Sequence, residues 1–428
     1  MPKYFGTDGI RGLAGQNCKL NDKLSYKTGL ALAAFFGKGA YVIGRDTRVS
    51  GPYIEDALAR GITDGGGDVL LLGVLPTPAV AFCTIARKAK CGIMVSASHN
   101  PAEYNGIKVF DGEGIKLSEE QEGSVEYYID NPIAVTKGGK VSQYANARDE
   151  YIDYLCKSVG TRLDGLKVWL DCGYGAAATV AKDAFERLGA IAVAENCSLR
   201  GEKINAGCGA MNPAYVAASM KGTDCRLGFA FDGDADRLSV VFDGAEVDGD
   251  TVLYNLSRAL KLHDNVVVGT ILSNLALEQT LAKEGKRFIR TPVGDKYICD
   301  LMFRNKYNLG GEQSGHYIIF PQATTGDGVM SAMFFAKALY KKGKLDAPSM
   351  LKLVPQKAIS VYASPAIMYD AGLNALIEKH NKLLEGCGRL IVRMSGTEPK
   401  IRVMAECADE GLVDQALAEF QEYIKTKQ

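Results

Sequence analysis

Four short loops of this 428-residue sequence carry polar side chains whose types and spacing could perform chemistry. In the first loop, Ser98 and His99 follow the apolar run 93–95, so a hydroxyl and an imidazole stand together at a predicted strand end. This pair suggests an activated nucleophile. A capped turn with a structural histidine is the ordinary alternative for so short a motif.

The second loop, 231–237, holds three carboxylates that alternate with small residues. The alternation places their oxygens on one side, which suits a hard divalent cation and leaves coordination positions for water or a phosphate oxygen. The candidate ligands are Asp232, Asp234 and Asp236. An EF-hand is disfavoured because Arg237 stands where that loop needs glycine. An Asx-rich hairpin remains the alternative.

Two further loops suit a sugar phosphate. In 310–316, Glu312 and Ser314 fall on one side of an extended chain and could bracket neighbouring sugar groups. The loop 393–402 has the composition of a phosphate cradle, with hydroxyls and backbone N–H groups between two arginines. Its candidate ligands are Arg393, Ser395, Gly396, Thr397 and Arg402. Taken singly, these loops could also be a polar turn and a surface hairpin.

Three segments that must position these loops share one pattern, an apolar run, a turn, a helix-like stretch and a second apolar run. The first runs begin at Tyr41, Lys167 and Asn265, and the second runs follow about 20 to 27 residues later, which fits a strand–helix–strand crossover. The tail differs, with a strand-like run at 389–393 and a helical stretch at 409–425.

We therefore predict an α/β fold of three related α/β/α units with mixed, mainly parallel sheets, and a small C-terminal α+β domain, arranged around a central cleft. The predicted domains are 1–145 with the serine loop, 146–248 with the aspartate loop, 249–355 with the sugar loop and 356–428 with the phosphate cradle. Linkers are predicted at 131–143 and 341–355.

Composition and charge weigh against several classes of protein. Fifty Lys plus Arg balance fifty Asp plus Glu, which removes the usual electrostatic reason to expect nucleic acid or a membrane as partner. The apolar stretch 69–82 is interrupted by glycine and proline and is shorter than the roughly 20 residues that cross a bilayer. The first residues lack a signal-peptide profile, and eleven scattered cysteines lack zinc-site spacing. We expect a cytoplasmic protein with reduced thiols.

Two nucleotide-binding motifs are disfavoured. The stretch 170–178 imitates a dinucleotide-binding turn, but Glu195 lies too late to be the acidic residue that ends the second strand. No G-x-x-x-x-G-K-[ST] sequence occurs, which argues against a P-loop ATPase.

The order of the four loops, with the opening K-Y-F-G-T-D-G-I-R-G at 3–12, resembles the α-D-phosphohexomutase superfamily over the whole chain. The forms S-A-S-H-N-P, G-G-E-Q-S-G-H and R-x-S-G-T-E-P are similar to its branch that interconverts glucosamine 6-phosphate and glucosamine 1-phosphate for UDP-N-acetylglucosamine and peptidoglycan synthesis. The branch that acts on mannose and glucose phosphates is the alternative. A phosphatase and a catalytically silent sugar-phosphate sensor are two further classes.

The resemblance implies a role for each matching residue. Ser98 would be carried as phosphoserine, and Mg²⁺ would be held by one of its phosphate oxygens and the three aspartates. The residues that would offset this charge are Arg11, Lys108 and Arg237. Sugar hydroxyls would contact the side chains Glu312 and Ser314, and the far phosphate would lie in the cradle at 393–402.

The proton of the reacting hydroxyl needs a carrier within hydrogen-bond distance. Lys108 and His99 are the candidates, with His316 a weaker third. Lys296 resembles a family position near the cleft, although a strand-end turn explains it as well. Ala235 replaces the glycine common in the aspartate loop, which narrows the backbone freedom there.

The implied cofactors are Mg²⁺ and glucosamine or glucose 1,6-bisphosphate as primer. The expected partners are small sugar phosphates, and the sequence leaves a homodimer open.

Overall fold

The computed structural model describes residues 3–6, 8–136, 138–395 and 399–427. The strands of its first sheet are β1 (Phe5–Gly6), β2 (Gly9–Leu13), β3 (Ala40–Arg45), β4 (Asp68–Val74), β5 (Cys91–Val95), β6 (Tyr104–Asp111) and β7 (Val141–Gln143). The helices of this unit are α1 (Asp22–Phe36), α2 (Gly51–Asp64), α3 (Thr77–Ala86) and α4 (Glu119–Asp130). The strand order is β1-β2-β6-β5-β3-β4-β7, with parallel pairing from β5 to β7.

The second unit consists of α5 (Ala147–Val159), β8 (Lys167–Asp171), α6 (Ala181–Arg187), β9 (Ile191–Glu195), α7 (Pro213–Ser219), β10 (Leu227–Phe231), β11 (Leu238–Phe242) and β12 (Ala245–Val247). Its strand order is β12-β11-β10-β8-β9, in which β10, β8 and β9 are parallel. The aspartate loop joins β10 to β11 at the carboxyl end of the parallel strands.

The third unit consists of α8 (Gly249–Ala259), β13 (Val266–Thr270), α9 (Leu275–Lys283), β14 (Arg287–Thr291), α10 (Asp295–Asn305), β15 (Leu309–Gly311), β16 (Tyr317–Ile319) and α11 (Gly328–Leu339). Its strand order is β14-β13-β15-β16. A short hairpin follows, formed by β17 (Tyr340–Lys341) and β18 (Lys344–Leu345).

The C-terminal unit consists of β19 (Gln356–Tyr362), α12 (Ala371–Leu384), β20 (Gly388–Met394), β21 (Lys400–Cys407) and α13 (Glu410–Lys425). Its antiparallel strand order is β19-β21-β20. Short 3₁₀ turns lie at Ala176–Thr179, Gly201–Lys203, His263–Asn265 and Pro365–Tyr369.

Local sequence explains several of these boundaries. Side chains at the N-caps of α1 and α4 accept backbone hydrogen bonds, and Ser118 and Gln121 form a full capping box before α4. The β-branched run of β13 is buried at every position, as expected for a central parallel strand.

The predicted α/β fold class is confirmed. The three predicted crossovers are the parallel pairs β3/β4, β8/β9 and β13/β14. The segment 131–143, predicted as a linker, instead ends in β7, which pairs with β4. This strand was missed because it has three residues, all exposed, and therefore no apolar pattern.

One hydrophobic core extends through the first three units. It runs from Val42 and Met94 in the first sheet through Phe229 in the second to Phe335 in α11. Ten of the twelve residues of α11 are buried, so this helix lies at the centre of the shared core.

The C-terminal unit has a separate core, which includes Ile401 and Phe420. It is attached to the third unit in part by Arg389, which donates to the carbonyl oxygens of Ile271 and Ser273. Among the described residues, no helix has the length and apolar character needed to span a membrane.

Candidate active site

Ser98 lies on a tight turn after β5 and is 1% exposed. Its φ of 52° is in the left-handed region, which disfavours residues with a Cβ. The hydroxyl donates to Asp232 Oδ2 at 2.6 Å, and Oγ lies 3.3 Å from His99 Nδ1. The structure therefore brings together the predicted nucleophile, the aspartate loop and a predicted proton carrier.

A buried arginine that the sequence analysis did not single out holds this turn. Arg48 is fully buried, and its Nη2 donates to Ser98 O at 2.9 Å and Asn100 O at 2.7 Å. Its Nη1 donates to Tyr104 O at 2.8 Å and also to Pro101 O. One guanidinium thus fixes four carbonyl groups of the serine turn and the strand entry that follows it.

Asp46 is the counter-ion of Arg48. Its Oδ2 accepts from Arg48 Nε at 2.9 Å and from Ser96 Oγ at 2.6 Å, and Ser96 Oγ accepts from Ser98 N at 2.9 Å. Burial raises the pKa of Asp46 despite the neighbouring Arg48. The sequence motif that could have identified this pair is G-R-D-T-R at 44–48, which places opposite charges at the carboxyl end of β3, the strand beside β5.

The three predicted metal ligands converge. One carboxylate oxygen from each of Asp232, Asp234 and Asp236 lies within 4.8 Å of the others. Asp234 Oδ1 and Asp236 Oδ1 are buried without a hydrogen-bond partner among the described residues. Burial and the two neighbouring carboxylates raise the pKa of Asp232 well above its usual range. Unpartnered oxygens and crowded negative charge fit a divalent cation.

Lys108 holds the opposite oxygens of two of these carboxylates. Its Nζ donates to Asp234 Oδ2 and Asp236 Oδ2, both at 2.7 Å, and lies 3.3 Å from Asp8 Oδ2. Burial disfavours the ammonium, but the carboxylates outweigh it and raise the pKa of Lys108 well above its usual value. Lys108 is therefore a fixed cation that leaves the Oδ1 atoms free.

The backbone of the aspartate loop is fixed from both sides. Ala176 N of the second unit donates to Gly233 O at 2.8 Å, and Gly328 N at the start of α11 donates to Ala235 O at 3.0 Å. Ala235 has a φ of 56°, so the alanine stands where glycine would be unstrained. Ala235 therefore adopts the left-handed conformation that glycine would adopt without strain. The three carboxylates of the loop nevertheless converge.

A chain of alternating charges, also missed from the sequence, connects the first unit to the third. Asp8 contacts Arg11 and Lys116, and Lys116 Nζ also donates to Asp295 Oδ2. Asp295 Oδ2 lies 3.1 Å from His316 Nε2. Burial opposes ionisation of Asp8, but the lysines outweigh it and hold its pKa well below the usual range.

His316 lies at the third-unit end of this chain, next to the aspartate loop. Its Nδ1 is 4.0 Å from Asp236 Oδ1. Burial opposes its protonation, but Asp295 outweighs the burial and the pKa of His316 is raised. These contacts make His316 a link between the third unit and the aspartate loop, 3.1 Å from one carboxylate and 4.0 Å from another.

Two guanidinium groups near the Ser98–His99 pair carry positive charge and hydrogen-bond donors that could bind an anion. Arg11 Nε and Arg237 Nε are buried with no hydrogen-bond partner in the described part of the chain. Burial, followed by the charges of Arg237 and Arg11, lowers the pKa of His99 to about 4. His99 is therefore neutral near pH 7, and unpartnered cationic donors fit a phosphate.

A cleft of about 510 Å³ is lined by residues of all four units. Glu312 Oε1 accepts from Gly294 N at 2.9 Å, and Glu312 Oε2 accepts from Ser314 Oγ at 3.2 Å. The lining includes Asp8, Lys116, Asp236, Arg237, Glu312, His316, Arg393, Ser395 and Arg402. The structure thus gathers the predicted sugar loop and part of the cradle beside the aspartate loop.

The two arginines of the cradle face each other across β20 and β21, where Arg393 and Arg402 are register partners. Burial and the charge of Arg402 lower the pKa of Arg393, so an anion between them would relieve the repulsion. Gly396 and Thr397 lie outside the described residues. Among the described residues that line the cleft, Lys296 is absent; it lines an adjoining crevice, where its Nζ donates to Glu122 Oε2 at 3.2 Å.

Four sequence-family models match the chain in succession, all of them parts of phosphoglucomutase/phosphomannomutase. They are α/β/α domain I at 2–134, α/β/α domain II at 149–245, α/β/α domain III at 248–356 and the C-terminal domain at 354–422. Among curated relatives, the phosphoglucosamine mutase of Finegoldia magna is 41% identical over 100% of this chain and 99% of its own length. That of Caldanaerobacter subterraneus subsp. tengcongensis is 39% identical over 100% of both chains.

Solved structures share the fold. A phosphoglucomutase/phosphomannomutase family protein of Burkholderia thailandensis matches with a TM-score of 0.83 at 24% identity, covering 100% of this chain and 98% of that one. The N-acetylphosphoglucosamine mutase of Aspergillus fumigatus, solved with GlcNAc-6P and magnesium, matches with a TM-score of 0.69 at 16% identity, covering 100% and 96%.

Proposed function

Because the chain belongs to the phosphoglucomutase/phosphomannomutase family, we propose that it is a phosphohexomutase that interconverts glucosamine 6-phosphate and glucosamine 1-phosphate. The observation that carries this proposal is the 2.6 Å contact of Ser98 Oγ with Asp232. Asp232 belongs to the carboxylate triad, and another triad member, Asp236, lines the cleft that Arg393 and Arg402 also line. Full-length identity near 40% to phosphoglucosamine mutases favours glucosamine phosphates over mannose or glucose phosphates.

We propose Mg²⁺ as the resident cation, held by Asp232, Asp234, Asp236 and an oxygen of phosphorylated Ser98. The Oδ1 atoms of Asp234 and Asp236, which are unpartnered within the described part of the chain, support this ligand set. When bound, Mg²⁺ would neutralise charge on the phosphoryl oxygens. Lys108 orients two of the ligands through their Oδ2 atoms.

The reaction requires two transfers at one serine. Phosphorylated Ser98 gives its phosphoryl group to the free sugar hydroxyl, so the P–O bond to Ser98 breaks and a P–O bond to the sugar forms. The resulting 1,6-bisphosphate turns end over end, and its other phosphoryl group returns to Ser98. Glucosamine or glucose 1,6-bisphosphate would prime an unphosphorylated enzyme in the same way. Arg11 and Arg237 would donate to the transferring group through their buried Nε atoms, which have no hydrogen-bond partner among the described residues.

We propose His99 as the carrier of the hydroxyl proton, in preference to Lys108 and His316. The imidazole is neutral at pH 7 and its Nδ1 lies 3.3 Å from Ser98 Oγ. Lys108 is surrounded by carboxylates that keep it protonated, so it has no free electron pair with which to accept a proton.

The distal part of the substrate would be held by the C-terminal half of the chain. Glu312 and Ser314 would bind sugar hydroxyls common to both orientations. The distal phosphate would contact Arg393, Ser395, Gly396, Thr397 and Arg402. We also propose domain limits of 1–145, 146–248, 249–355 and 356–428, with the cleft between them. The proposed setting is the cytoplasm, with small sugar phosphates as partners, without nucleic acid or membrane, and with a homodimer left open.

Intact-mass measurement tests the covalent route. We expect a fraction of the purified protein to be heavier by one phosphate and this species to be absent in Ser98→Ala. A coupled assay with glucosamine, mannose and glucose phosphates and a bisphosphate primer then identifies the substrate. Faster turnover of mannose phosphate would overturn the glucosamine assignment, and phosphate release at the rate of sugar turnover would indicate a phosphatase.

A further inference from the structure

Two cysteine sulfurs lie in contact at the carboxyl edge of the second sheet. Cys172 directly follows β8, Cys197 follows β9 by two residues, and their Sγ atoms are 3.5 Å apart. The parallel strands pair up to Asp171 and Glu195, and Cys172 N donates to Glu195 O at 3.1 Å. The sheet itself therefore holds the two thiols together.

The two thiols differ in access and in acidity. Cys172 is buried, whereas Cys197 is half-buried and reaches the surface. The hydrogen bond with Cys172 lowers the pKa of Cys197, whereas burial and the charges of Asp171 and Glu195 oppose this and Lys182 assists it. Cys197 Sγ also donates to Glu195 O at 3.2 Å. Cys197 is therefore the sulfur that a dissolved oxidant reaches first, and Cys172 lies directly behind it as the second thiol.

We propose that Cys172 and Cys197 form a reversible disulfide when the protein meets hydrogen peroxide. The Cys197 thiolate attacks one peroxide oxygen, the O–O bond breaks, and a sulfenic acid and hydroxide form. Cys172 Sγ then attacks Cys197 Sγ, the S–O bond breaks, and water leaves with the thiol proton. In total two thiols are oxidised by two electrons, and one peroxide is reduced to two waters.

Disulfide formation would act on the turn that supports the aspartate loop. The sulfurs must approach from 3.5 Å to about 2.0 Å, a change of about 1.5 Å. Next to Cys172, a Cβ on Gly175 would lie 2.5 Å from Gly233 O, so the two backbones are in close contact. Ala176 N also donates to Gly233 O. A shift of the Cys172 backbone would therefore be transmitted to Gly233, between Asp232 and Asp234.

A second close pair provides a comparison within the same chain. Cys387 and Cys407 of the C-terminal unit have Sγ atoms 3.2 Å apart, but the hydrogen bond with Cys407 raises the pKa of Cys387. These are the two sulfur–sulfur contacts among the described residues. The Cys387→Ser variant removes this pair and leaves Cys172 and Cys197 intact.

The experiment treats full-length Cys387→Ser protein, loaded with Mg²⁺, with graded hydrogen peroxide, and digests it with trypsin without reduction. The peptides 168–182 and 188–200 contain one cysteine each. We expect them to appear cross-linked, with two hydrogens lost. Mutase activity should fall about 10- to 100-fold in parallel, because displacements near 1 Å at a reacting centre have such effects, and should return with dithiothreitol.

The Cys197→Ser variant in the same background is the control and should keep its activity in peroxide. Two unlinked thiols, or Cys197 oxidised to sulfinic acid without a cross-link, would overturn the proposed disulfide. A cross-link with unchanged activity would overturn the coupling to the aspartate loop. The mass measurement is independent of the proposed mutase function, so failure of one does not imply failure of the other.

Discussion

Replacement of Arg48 by methionine tests how the serine turn is held. The change keeps a long apolar side chain but removes the guanidinium that donates to four carbonyl groups around Ser98. It also removes the counter-ion of Asp46. In the wild type both side chains of this ion pair are 0% exposed.

The expected loss of unfolding free energy is large. Removing one partner of a buried ion pair costs about 3–5 kcal/mol, a substantial part of the roughly 5–15 kcal/mol that stabilises a domain. Much of this cost is the unpaired charge of Asp46, so adding Asp46→Asn to Arg48→Met should cost little more. A double-mutant cycle should therefore give a coupling energy of about 2 kcal/mol.

Urea denaturation followed by circular dichroism measures these stabilities, and hydrogen exchange at 96–104 reports on the turn itself. Arg87→Met is a matched control, since Arg87 pairs with Glu150 on the surface, with side chains 41% and 38% exposed, and should lose less than about 1 kcal/mol. A loss at Arg48→Met as small as at Arg87→Met, or strict additivity with Asp46→Asn, would refute the assigned role of Arg48.

Four further outcomes are expected. Ser98→Gly should be more stable than Ser98→Ala by about 1 kcal/mol in urea denaturation, because φ at this position is 52°; equal stabilities would contradict the strain. His99→Gln should lower single-turnover transfer about 10²- to 10⁴-fold without changing the phosphoserine content seen by mass, and a change below tenfold would exclude His99 as the proton carrier. Mg²⁺ at 100 times its Kd should raise the unfolding free energy of the wild type by about 2.7 kcal/mol, measured by thermal unfolding. An equal increase in Asp234→Asn would argue against the proposed ligand set. Burial raises the pKa of Asp250 to about 7, so between about pH 4 and 7 the folded state keeps a proton on this carboxyl that the unfolded state has lost. The free energy of unfolding should therefore fall as pH rises through this range. Asp250→Asn should flatten the dependence, and an unchanged slope of unfolding free energy against pH between about 5 and 8 would contradict it.

The sequence predicted those parts of the fold that local patterns encode. The apolar runs at Tyr41, Lys167 and Asn265 begin within one residue of β3, β8 and β13, because strands buried on both faces need continuous apolar residues. The loops were recognised for the same local reason, since each carries its polar residues within a few positions.

Contacts between distant charges were not predictable in this way. Lys116 and Asp295 are separated by 179 positions, and no local pattern marks either one as a partner of the other. Arg48 was missed although its motif is visible, because a charged pair at a strand end is usually solvated. Its importance follows only from complete burial beside the serine turn.

The division of the interior into a shared core and a separate C-terminal core has a mechanical consequence. Arg393 and Arg402 belong to a body whose apolar contacts are internal, and Arg389 attaches it to its neighbour through backbone carbonyls. The reach from this body to Ser98 can change while the apolar side chains of the two cores keep their neighbours. The substrate binds in opposite orientations in the two half-reactions, and the distance from its reacting group to its distal phosphate differs between them. A cleft of adjustable width can hold the substrate firmly in both orientations.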